Sequence, residues 1–334
     1  MNNKKIAIIG DGGWGTTLAI HLHKKFFRVS LWSAFEDYVR VLRKKRENVK
    51  FLPGIKIPKE IEISHSLKAV TSDAYLIILA VPSQYLADVL LKLKKEINPK
   101  KYIFLSVIKG IETGTAKRIS EVIYEILGKV KLAVLSGPTI AREIAREIPS
   151  AAVVSSTSKS IAEKIQDIII SDYFRIYTNY DMIGVEIGGA LKNIIAIACG
   201  ISDGMGYGTN TKAALLTRGL AEITRLGISL GANKRTFWGL SGMGDLVTTC
   251  ISPFSRNRFV GEQIGSGKKL KDILKKMDMV AEGIRTCASA YDLAKKRDIE
   301  APITEQIYMV LYKNKNPKTA VMDLMRRKRK EEGR

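Results

Sequence analysis

One lysine, Lys192, interrupts a long apolar stretch of this 334-residue chain. It is the only charged residue between Glu186 and Asp203, and its neighbours are small or aliphatic, which predicts a buried helix. A lysine removed from water binds its proton less tightly and becomes a candidate general acid or base. The alternative is a lysine at the end of a core helix with a solvated amine, and the segment alone favours that alternative.

A glycine-rich turn near the start of the chain has the spacing of a dinucleotide-binding site. The apolar run Lys5–Ile9 ends at Gly10-Asp11-Gly12-Gly13-Trp14-Gly15, and an amphipathic helix is predicted over residues 16–27. In this context the first glycine allows a tight turn, the second lets the backbone approach a pyrophosphate, and the third lets the helix pack on the sheet. The free amides of the helix N-terminus then face the phosphates. The alternative is a glycine-rich turn that binds no nucleotide.

The end of the second predicted strand, Arg28–Trp32, leaves the choice between NAD and NADP open. Dinucleotide sites usually carry Asp or Glu here to bind the ribose, but this chain has Ser33-Ala34-Phe35. Ser33 is either a ligand of a ribose or 2′-phosphate, or a helix N-cap.

Apolar runs alternate with helical patterns through the first half of the chain, at residues 61–63, 75–81, 102–107, 132–135, 151–155 and 174–177. This alternation predicts an α/β domain with a mostly parallel, doubly wound Rossmann-type sheet. Pro82-Ser83, Lys109 and Gly137-Pro138-Thr139 each follow a strand, as the glycine-rich turn does. Ligands of such sheets bind beyond the carboxyl ends of the strands, so we expect these residues to line one cleft.

The strand signals stop at Asn179, and helical patterns follow at residues 181–202, 211–230, 258–264, 284–296 and 303–312. We therefore predict a dinucleotide-binding domain over residues 1–179 and a helical substrate and catalytic domain over residues 180–334. Two loops are predicted in the second domain, at residues 239–245 and 252–257. The residues after 320 are predicted to form a basic tail with a frayed end.

Between two such domains, hydride transfer to a ketone needs a proton donor and a positive field around the developing alkoxide. Lys192 is placed to supply both, and Lys109 to polarise the carbonyl. Asn193 and Asp245 are candidates to orient Lys192 or to bind substrate, although Asp245 in a glycine-rich loop is equally a turn former. Ser255-Arg256-Asn257 suits a phosphate, the alternative being a helix cap with an exposed arginine.

The composition argues against a nucleic-acid-binding protein, a disulfide-rich protein and a membrane-spanning protein. A net charge of +22 favours anionic ligands, but no nucleic-acid-binding motif accompanies it, so we expect a solvated basic surface and no nucleic acid. The three cysteines are widely spaced, with no CxxC pair, which predicts neither a disulfide framework nor a zinc site. The three histidines lie in the first quarter, so any proton transfer elsewhere must use Lys, Asp, Glu, Tyr or water. No signal-peptide core or membrane span is evident, so a cytoplasmic protein is predicted. The basic run Arg326-Arg327-Lys328-Arg329-Lys330 is a candidate for weak contact with acidic lipid.

Several of these blocks together resemble the bacterial type of NAD(P)-dependent glycerol-3-phosphate dehydrogenase. The resemblance covers residues 5 to about 312 and is most specific from Gly189-Ala190-Leu191-Lys192-Asn193 to Asn210. The other matching blocks are the first glycine turn with Thr16, Lys109-Gly110-Ile111-Glu112, Ser136-Gly137-Pro138-Thr139, Gly242-Met243-Gly244-Asp245-Leu246 and Ser255-Arg256-Asn257. It implies a helical domain like the C-terminal domain of 6-phosphogluconate dehydrogenase, and a homodimer.

The resemblance also implies roles for individual residues. Lys192 would donate and accept the proton. Lys109, Asp245 and Asn193 are the other catalytic candidates, on the reasoning from the residues given above. The substrate-binding set would be Lys109, Gly137, Thr139, Lys192, Asp245, Ser255, Arg256 and Asn257, with the phosphate at the last three. The cofactor set would be Gly10, Gly12, Gly13, Trp14, Gly15, Lys109, Ala141, Arg256, Val280 and Glu282. Ala34 departs from the His or Arg that this family often has, which leaves NADP and NAD (NADPH or NADH) both open.

The predicted function is reversible reduction of dihydroxyacetone phosphate to sn-glycerol 3-phosphate, feeding glycerophospholipid synthesis. One alternative is another hydroxyacid dehydrogenase of the same architecture. A second is a non-catalytic nucleotide-binding or RNA-associated protein, in which the apolar segment around Lys192 would have no purpose.

Overall fold

A computed structural model describes residues 4–277, 280–329 and 331–332 of the chain. Eight strands form one sheet in the order β3-β2-β1-β4-β5-β6-β7-β8, and neighbouring strands are parallel except for β6 and β7. The strands are β1 (Lys5–Ile9), β2 (Arg28–Trp32), β3 (Glu62–Ser64), β4 (Ala74–Leu79), β5 (Ile103–Ser106), β6 (Lys131–Ser136), β7 (Ser150–Ser155) and β8 (Phe174–Asn179). The predicted fold class is confirmed: each strand lies within two residues of its predicted range.

Helices cover both faces of this sheet. They are α1 (Gly13–Lys24), α2 (Glu36–Lys45), α3 (Leu67–Thr71), α4 (Leu86–Glu96), α5 (Ile119–Leu127), α6 (Ala141–Ala145) and α7 (Lys159–Ile169). Along β1, Ile6 and Ile8 join the core under α1 and α7, whereas Ala7 and Ile9 join the core under α4 and α5. Because successive side chains of a strand point to opposite faces, these two cores require strands that are apolar throughout.

Helix α1 begins earlier than predicted, inside the glycine-rich turn. Gly13 is its first residue, and the helix ends at Lys24 because Phe26 adopts a left-handed conformation with φ 64°. The amides of its first turn therefore lie directly after the end of β1.

Only helices follow β8 within the described residues. The α-helices are α8 (Met182–Gly204), α9 (Thr209–Ser229), α10 (Asp245–Ile251), α11 (Arg256–Gly265), α12 (Leu270–Lys275), α13 (Glu282–Lys296), α14 (Pro302–Lys313) and α15 (Pro317–Met325), and short helical turns lie at Lys234–Trp238 and Leu240–Gly244. Helix α8 lies at the centre and packs against α9, α10, α11 and α13 as well as strand β6. Of these helices, α10, α12 and α15 were not predicted, and α15 occupies part of the expected basic tail. Lys330 at the end of that tail lies outside the described residues.

Glycines bring α8 and α11 into close contact. A Cβ at Gly200 would lie 2.0 Å from the Arg258 carbonyl oxygen, and one at Gly261 would lie 2.1 Å from the Ile197 carbonyl oxygen. Within the described residues, α8 is the one helix long and apolar enough to cross a membrane, with a mean hydropathy of 1.6, and 94% of that window is buried inside the protein. The core helix of a folded domain passes the same test.

The prediction of a loop over residues 239–245 is wrong. Leu240–Gly244 forms a turn of π-helix that leads directly into α10, with the Gly244 amide donating to the Gly239 carbonyl at 3.2 Å. The glycines there serve close packing, since a Cβ at Gly242 would lie 2.1 Å from the Phe237 carbonyl oxygen. Such π-turns often occur at functional sites.

Candidate active site

Lys192 is buried in the middle of α8, where it is the eleventh of 23 residues and only 5% exposed. Its Nζ donates to Asp245 Oδ1 at 2.5 Å and to Thr249 Oγ1 at 2.6 Å. The alternative of a solvated lysine at a helix end is therefore wrong. The small and apolar residues of α8 bury the helix together with this amine. The two polar partners of the amine come from α10.

Lys109 reaches the same place from the sheet, just beyond β5. Its Nζ donates to Asp245 Oδ2 at 2.7 Å, to the Gly137 carbonyl at 2.8 Å and to Thr139 Oγ1 at 2.9 Å. Burial lowers the pKa of Lys109 from 10.5 to about 8, although Asp245 acts in the opposite direction. Gly137 and Thr139 follow β6, so the expected meeting of strand ends is found here.

Asp245 holds the two lysines together. It is the first residue of α10 and 1% exposed, and its carboxylate accepts from a lysine at each oxygen. The alternative of a simple turn former is therefore wrong. Two ammonium groups around one carboxylate leave a net positive charge, which favours an anion or a developing alkoxide beside them.

Asn193, next to Lys192, links several elements around the site. Its Nδ2 donates to the Lys109 carbonyl at 3.3 Å, and its Oδ1 accepts from Asn257 Nδ2 at 2.9 Å. Asn257 Oδ1 in turn accepts from the Gly283 amide at 3.0 Å. This chain of bonds fixes the start of α11 against α8 and α13.

The neighbours of Asn257 show the features of the helix-cap alternative. Ser255 Oγ accepts from the Arg258 amide at 3.2 Å and caps α11, while Arg256 is exposed at the first position of that helix. An exposed guanidinium at a helix N-terminus also suits a phosphate, so the geometry is compatible with both interpretations.

The three motif glycines differ in what surrounds them. A Cβ at Gly10, which has φ +123°, would lie 2.7 Å from the Ala80 backbone, and one at Gly15 would lie 2.0 Å from the Gly10 carbonyl oxygen. A Cβ at Gly12 would meet nothing within 4 Å. The outer glycines are thus needed for the turn and the helix contact, whereas Gly12 faces open space. Helix α1 has no side-chain cap and no acidic residue in its first turn. The turn over residues 10–15, called the glycine cradle below, therefore fits a dinucleotide pyrophosphate.

The remaining cofactor candidates lie on two sides of this turn. A Cβ at Gly13 would lie 3.7 Å from Ala141 Cβ. Trp14 packs edge-on against Phe174, and its Nε1 is buried without a hydrogen-bond partner. Across the cleft, Glu282 Oε1 accepts from the Ser83 amide at 3.0 Å, and burial raises the pKa of Glu282. Val280 is half-buried just before α13.

Both interpretations of Ser33 are wrong. The residue is fully buried, and its Oγ donates to Asp11 Oδ2 at 2.7 Å, so it is not accessible to a ribose. It does not cap α2 either, because Phe35 occupies the N-cap position. Burial raises the pKa of Asp11, and the hydrogen bond from Ser33 offsets part of that rise.

Thr249 and Ser136 are site residues that sequence reasoning missed. Thr249 lies one helical turn after Asp245 on α10, and Ser136 Oγ donates to Asp245 Oδ2 at 3.5 Å. The spacing of Asp245 and Thr249 signals a shared helix face only once α10 is known to be a helix.

Comparisons with known proteins extend over nearly the whole chain. Residues 5–162 match the family described as NAD-dependent glycerol-3-phosphate dehydrogenase N-terminus, and residues 181–322 match its C-terminus. A protein of Citrifermentans bemidjiense named glycerol-3-phosphate dehydrogenase (NAD(P)+) is 50% identical over 333 residues, which is 99% of each chain. A protein of the same name from Thermoanaerobacter is 48% identical over 328 residues, 98% of each chain.

Solved structures show the same extent of likeness. The crystal structure of glycerol-3-phosphate dehydrogenase from Coxiella burnetii has a TM-score of 0.94 and 37% identity, covering 97% of this chain and 99% of that one. The enzyme of the same name from Plasmodium falciparum has a TM-score of 0.88 and 28% identity, covering 98% and 97%. This chain therefore shares with these two enzymes both its sheet and its helices, in the same arrangement.

Proposed function

This chain belongs to the NAD-dependent glycerol-3-phosphate dehydrogenase family, and we propose that Lys192 is the general acid with which it reduces dihydroxyacetone phosphate to sn-glycerol 3-phosphate. The enzyme is an oxidoreductase that uses NAD or NADP. In the reverse direction, Lys192 accepts the proton from the substrate hydroxyl.

The observation that supports this role is the buried cluster of Lys109, Asp245 and Lys192. Lys192 Nζ donates to Asp245 and Thr249, so two acceptors fix the direction of its third proton. A proton donor held in a water-poor site needs no reorganisation during reaction, which is a large part of catalysis. In our account, the third proton of Lys192 passes to the oxygen on C2 of dihydroxyacetone phosphate.

Lys109 and Asp245 support the transfer in different ways. Lys109 adds positive charge on the sheet side, where it stabilises the negative charge that develops on the C2 oxygen. Asp245 offsets the repulsion between the two neighbouring ammonium groups, because each donates to a different oxygen of its carboxylate. Asn193 positions the Lys109 backbone through its own bond to the Lys109 carbonyl.

We assign the substrate phosphate to Arg256 together with Ser255 and Asn257 at the start of α11. The charge of the guanidinium and the free amides of the helix N-terminus favour a phosphate there. Gly137 and Thr139 then line the opposite, sheet side of the substrate.

We assign the cofactor to the glycine-rich turn at the carboxyl end of β1. Gly10, Gly12, Gly13, Trp14 and Gly15 would hold the pyrophosphate side. The remaining assigned contacts are Ala141, Lys109, Arg256, Val280 and Glu282. When bound, the reduced nicotinamide supplies the hydride that reduces C2. Exposed Ala34 after β2 carries no charge that selects a ribose hydroxyl or a 2′-phosphate, so we assign both cofactors.

We extend the proposal to the organisation of the enzyme. Residues 1–179 form the dinucleotide-binding domain and residues 180–334 the substrate domain, and two chains associate as a homodimer. The enzyme works in the cytoplasm and supplies glycerophospholipid synthesis, with weak contact of the basic tail to acidic lipid. Free, buried thiols at Cys199, Cys250 and Cys287 suit a reducing compartment.

Initial rates of dihydroxyacetone phosphate reduction test the proposal, measured at 340 nm with NADH and NADPH in turn. The proposal predicts saturable oxidation of at least one cofactor that depends on this substrate. Reduction of 3-oxo acids to 3-hydroxy acids, without reduction of dihydroxyacetone phosphate, would contradict it.

A further inference from the structure

A second buried ionic cluster lies on α8, around Glu186, six residues before Lys192. Glu186 Oε2 accepts from Arg118 Nη1 at 2.7 Å and from Ser120 Oγ at 2.6 Å. Glu186 Oε1 accepts from the Ser120 amide at 2.7 Å. Only 5% of the Glu186 side chain and 15% of the Arg118 side chain are exposed. The reaction described above uses none of these groups, although a buried charge is costly to keep.

The cluster joins the sheet domain to α8 at the start of α5, where Glu121 Oε2 accepts from the Arg118 amide at 2.8 Å but the amides that follow need a further acceptor. The N-cap residue of α5 is Arg118, whose side chain has no acceptor for the free amides of the first turn. Glu186 supplies that acceptor from α8, and its charge also suits the positive end of α5. The capping of α5 is thus completed from the helical domain, since Glu121 accepts from the Arg118 amide and Glu186 accepts from the Ser120 amide.

Arg118 also ends the segment that carries Lys109. Ile111 and Arg118 pair as an antiparallel bridge, and the Glu112 amide donates to the Lys117 carbonyl at 2.9 Å. Residues 109–118 therefore form a hairpin whose two ends both contact α8. Asn193 binds the Lys109 end, and Glu186 binds the Arg118 end. These two contacts are seven residues apart on α8, which is about 10 Å along the helix.

We propose that Glu186 is a positioning residue for the reaction: its buried contacts with Arg118 and Ser120 fix the hairpin that carries Lys109 in register with Lys192. This inference rests on the proposed roles of the two lysines. Lys109 belongs to the sheet domain and Lys192 to the helical domain, so a contact between the domains has to set their relative position. The inference assigns that task to Glu186, a carboxylate outside the active site.

The test compares Glu186→Gln with Glu222→Gln, a matched control. Glu222 is also a buried carboxylate that caps a helix, because it accepts from the Ile303 and Thr304 amides at 2.8 Å. Those contacts join α9 to α14 within the helical domain, so losing them alters stability without moving the hairpin. A double variant, Glu186→Met with Arg118→Met, removes both charges at once, a replacement that is often neutral for stability.

We expect Glu186→Gln and the folded double variant to lower kcat about 10- to 100-fold, as small misplacements of reacting groups do. The KM for the cofactor should change by a smaller factor than kcat, because Lys109 is the one assigned cofactor contact that moves and the glycine-rich turn is untouched. The alkaline limb of kcat/KM should also move to higher pH as water reaches Lys109, which Asp245, Lys192 and Glu282 face. Glu222→Gln should keep the kcat and pH profile of the parent enzyme.

Equal kcat and pH profiles for the Glu186 variants and Glu222→Gln, at matched melting temperatures, would overturn the inference. Lys192→Ala separates its failure from that of the proposed function. If Lys192→Ala is inactive while the Glu186 variants behave like the control, only the positioning role fails. If Lys192→Ala keeps its turnover, the proposed function fails and this inference fails with it.

Discussion

Lys109 and Lys192 donate to opposite oxygens of one buried carboxylate, at 2.7 and 2.5 Å from Asp245 Oδ2 and Oδ1. Lys109 follows a strand of the sheet, and Lys192 lies in the central helix of the second domain. Their meeting point therefore depends on how the two domains pack. It also places two positive charges where a ketone oxygen would become an alkoxide, which is the basis of the mechanism proposed above.

Activity should fall as the pH rises through about 8, because Lys109 then loses its positive charge. Lys109→Arg keeps the charge, so we expect its alkaline limb in a plot of kcat/KM against pH to move up by about one unit or more. A limb that stays at the same pH in this variant would show that Lys109 is not the group responsible.

The same group links pH to folding with a defined sign. Between about 8 and the ordinary lysine pKa of 10.5, the unfolded chain binds more protons at this position than the folded protein. The contribution of Lys109 to the free energy of unfolding therefore rises with pH across that window. Denaturant titrations of the parent enzyme and Lys109→Met at pH 7.5 and 9.5 measure it, and an identical pH response in both would contradict the prediction.

Thr249→Val should lower kcat about tenfold, because Lys192 loses one of the two acceptors that direct its third proton. Thr249→Ser keeps the hydroxyl and should retain most of the turnover. The measurement is kcat for both variants at saturating substrate. Equal kcat values for the valine and serine variants would remove Thr249 from the account.

Arg256→Ala should raise the KM for dihydroxyacetone phosphate about 10- to 100-fold, the effect of losing a charge-assisted contact. The side chain is exposed, so the melting temperature should hardly change. Arg256→Lys should be intermediate, since a lysine keeps the charge but not the bidentate geometry. An unchanged KM in the alanine variant would assign the phosphate to other residues.

Gly12→Ala and Gly15→Ala should fail in different ways. A Cβ at Gly12 would enter open space, so this variant should fold normally but raise the KM for the cofactor about tenfold. A Cβ at Gly15 would lie 2.0 Å from the Gly10 carbonyl oxygen, so that variant should lose about 1–3 kcal/mol of stability. Steady-state kinetics and thermal melts of both proteins check the contrast, and a normal cofactor KM for Gly12→Ala would contradict the assignment of the cradle.

The strands and the cleft could be predicted from the sequence because buried parallel strands are continuous apolar runs that end in glycine, proline or polar residues. Lys109, Gly137 and Thr139 were placed correctly for that reason, since strand ends meet at one edge of the sheet.

The failures arose where tertiary packing overrides a local signal. Residues 239–245 are rich in glycine and were predicted to be a loop, but their glycines allow close packing and the segment is helical. Without α10, the positions of Asp245 and Thr249 on one helix face could not be seen. Ser33 has the sequence of a cap or ligand, but its hydroxyl is used by Asp11 inside the protein. Arg118 gave no sign that its helix is capped from another domain.

The turnover of Lys192→Ala tests the central claim most directly, measured as reduction of dihydroxyacetone phosphate with NADPH and NADH. Lys5→Ala is the matched control, because Lys5 is also a buried lysine with a hydrogen-bonded amine, its Nζ donating to the Ala69 carbonyl. Lys5 lies at the start of β1, whereas the glycine-rich turn follows the end of that strand. We predict that Lys192→Ala folds, binds cofactor and loses kcat about 100- to 10,000-fold, while Lys5→Ala keeps its kcat. A folded Lys192→Ala with near-normal kcat would contradict the account.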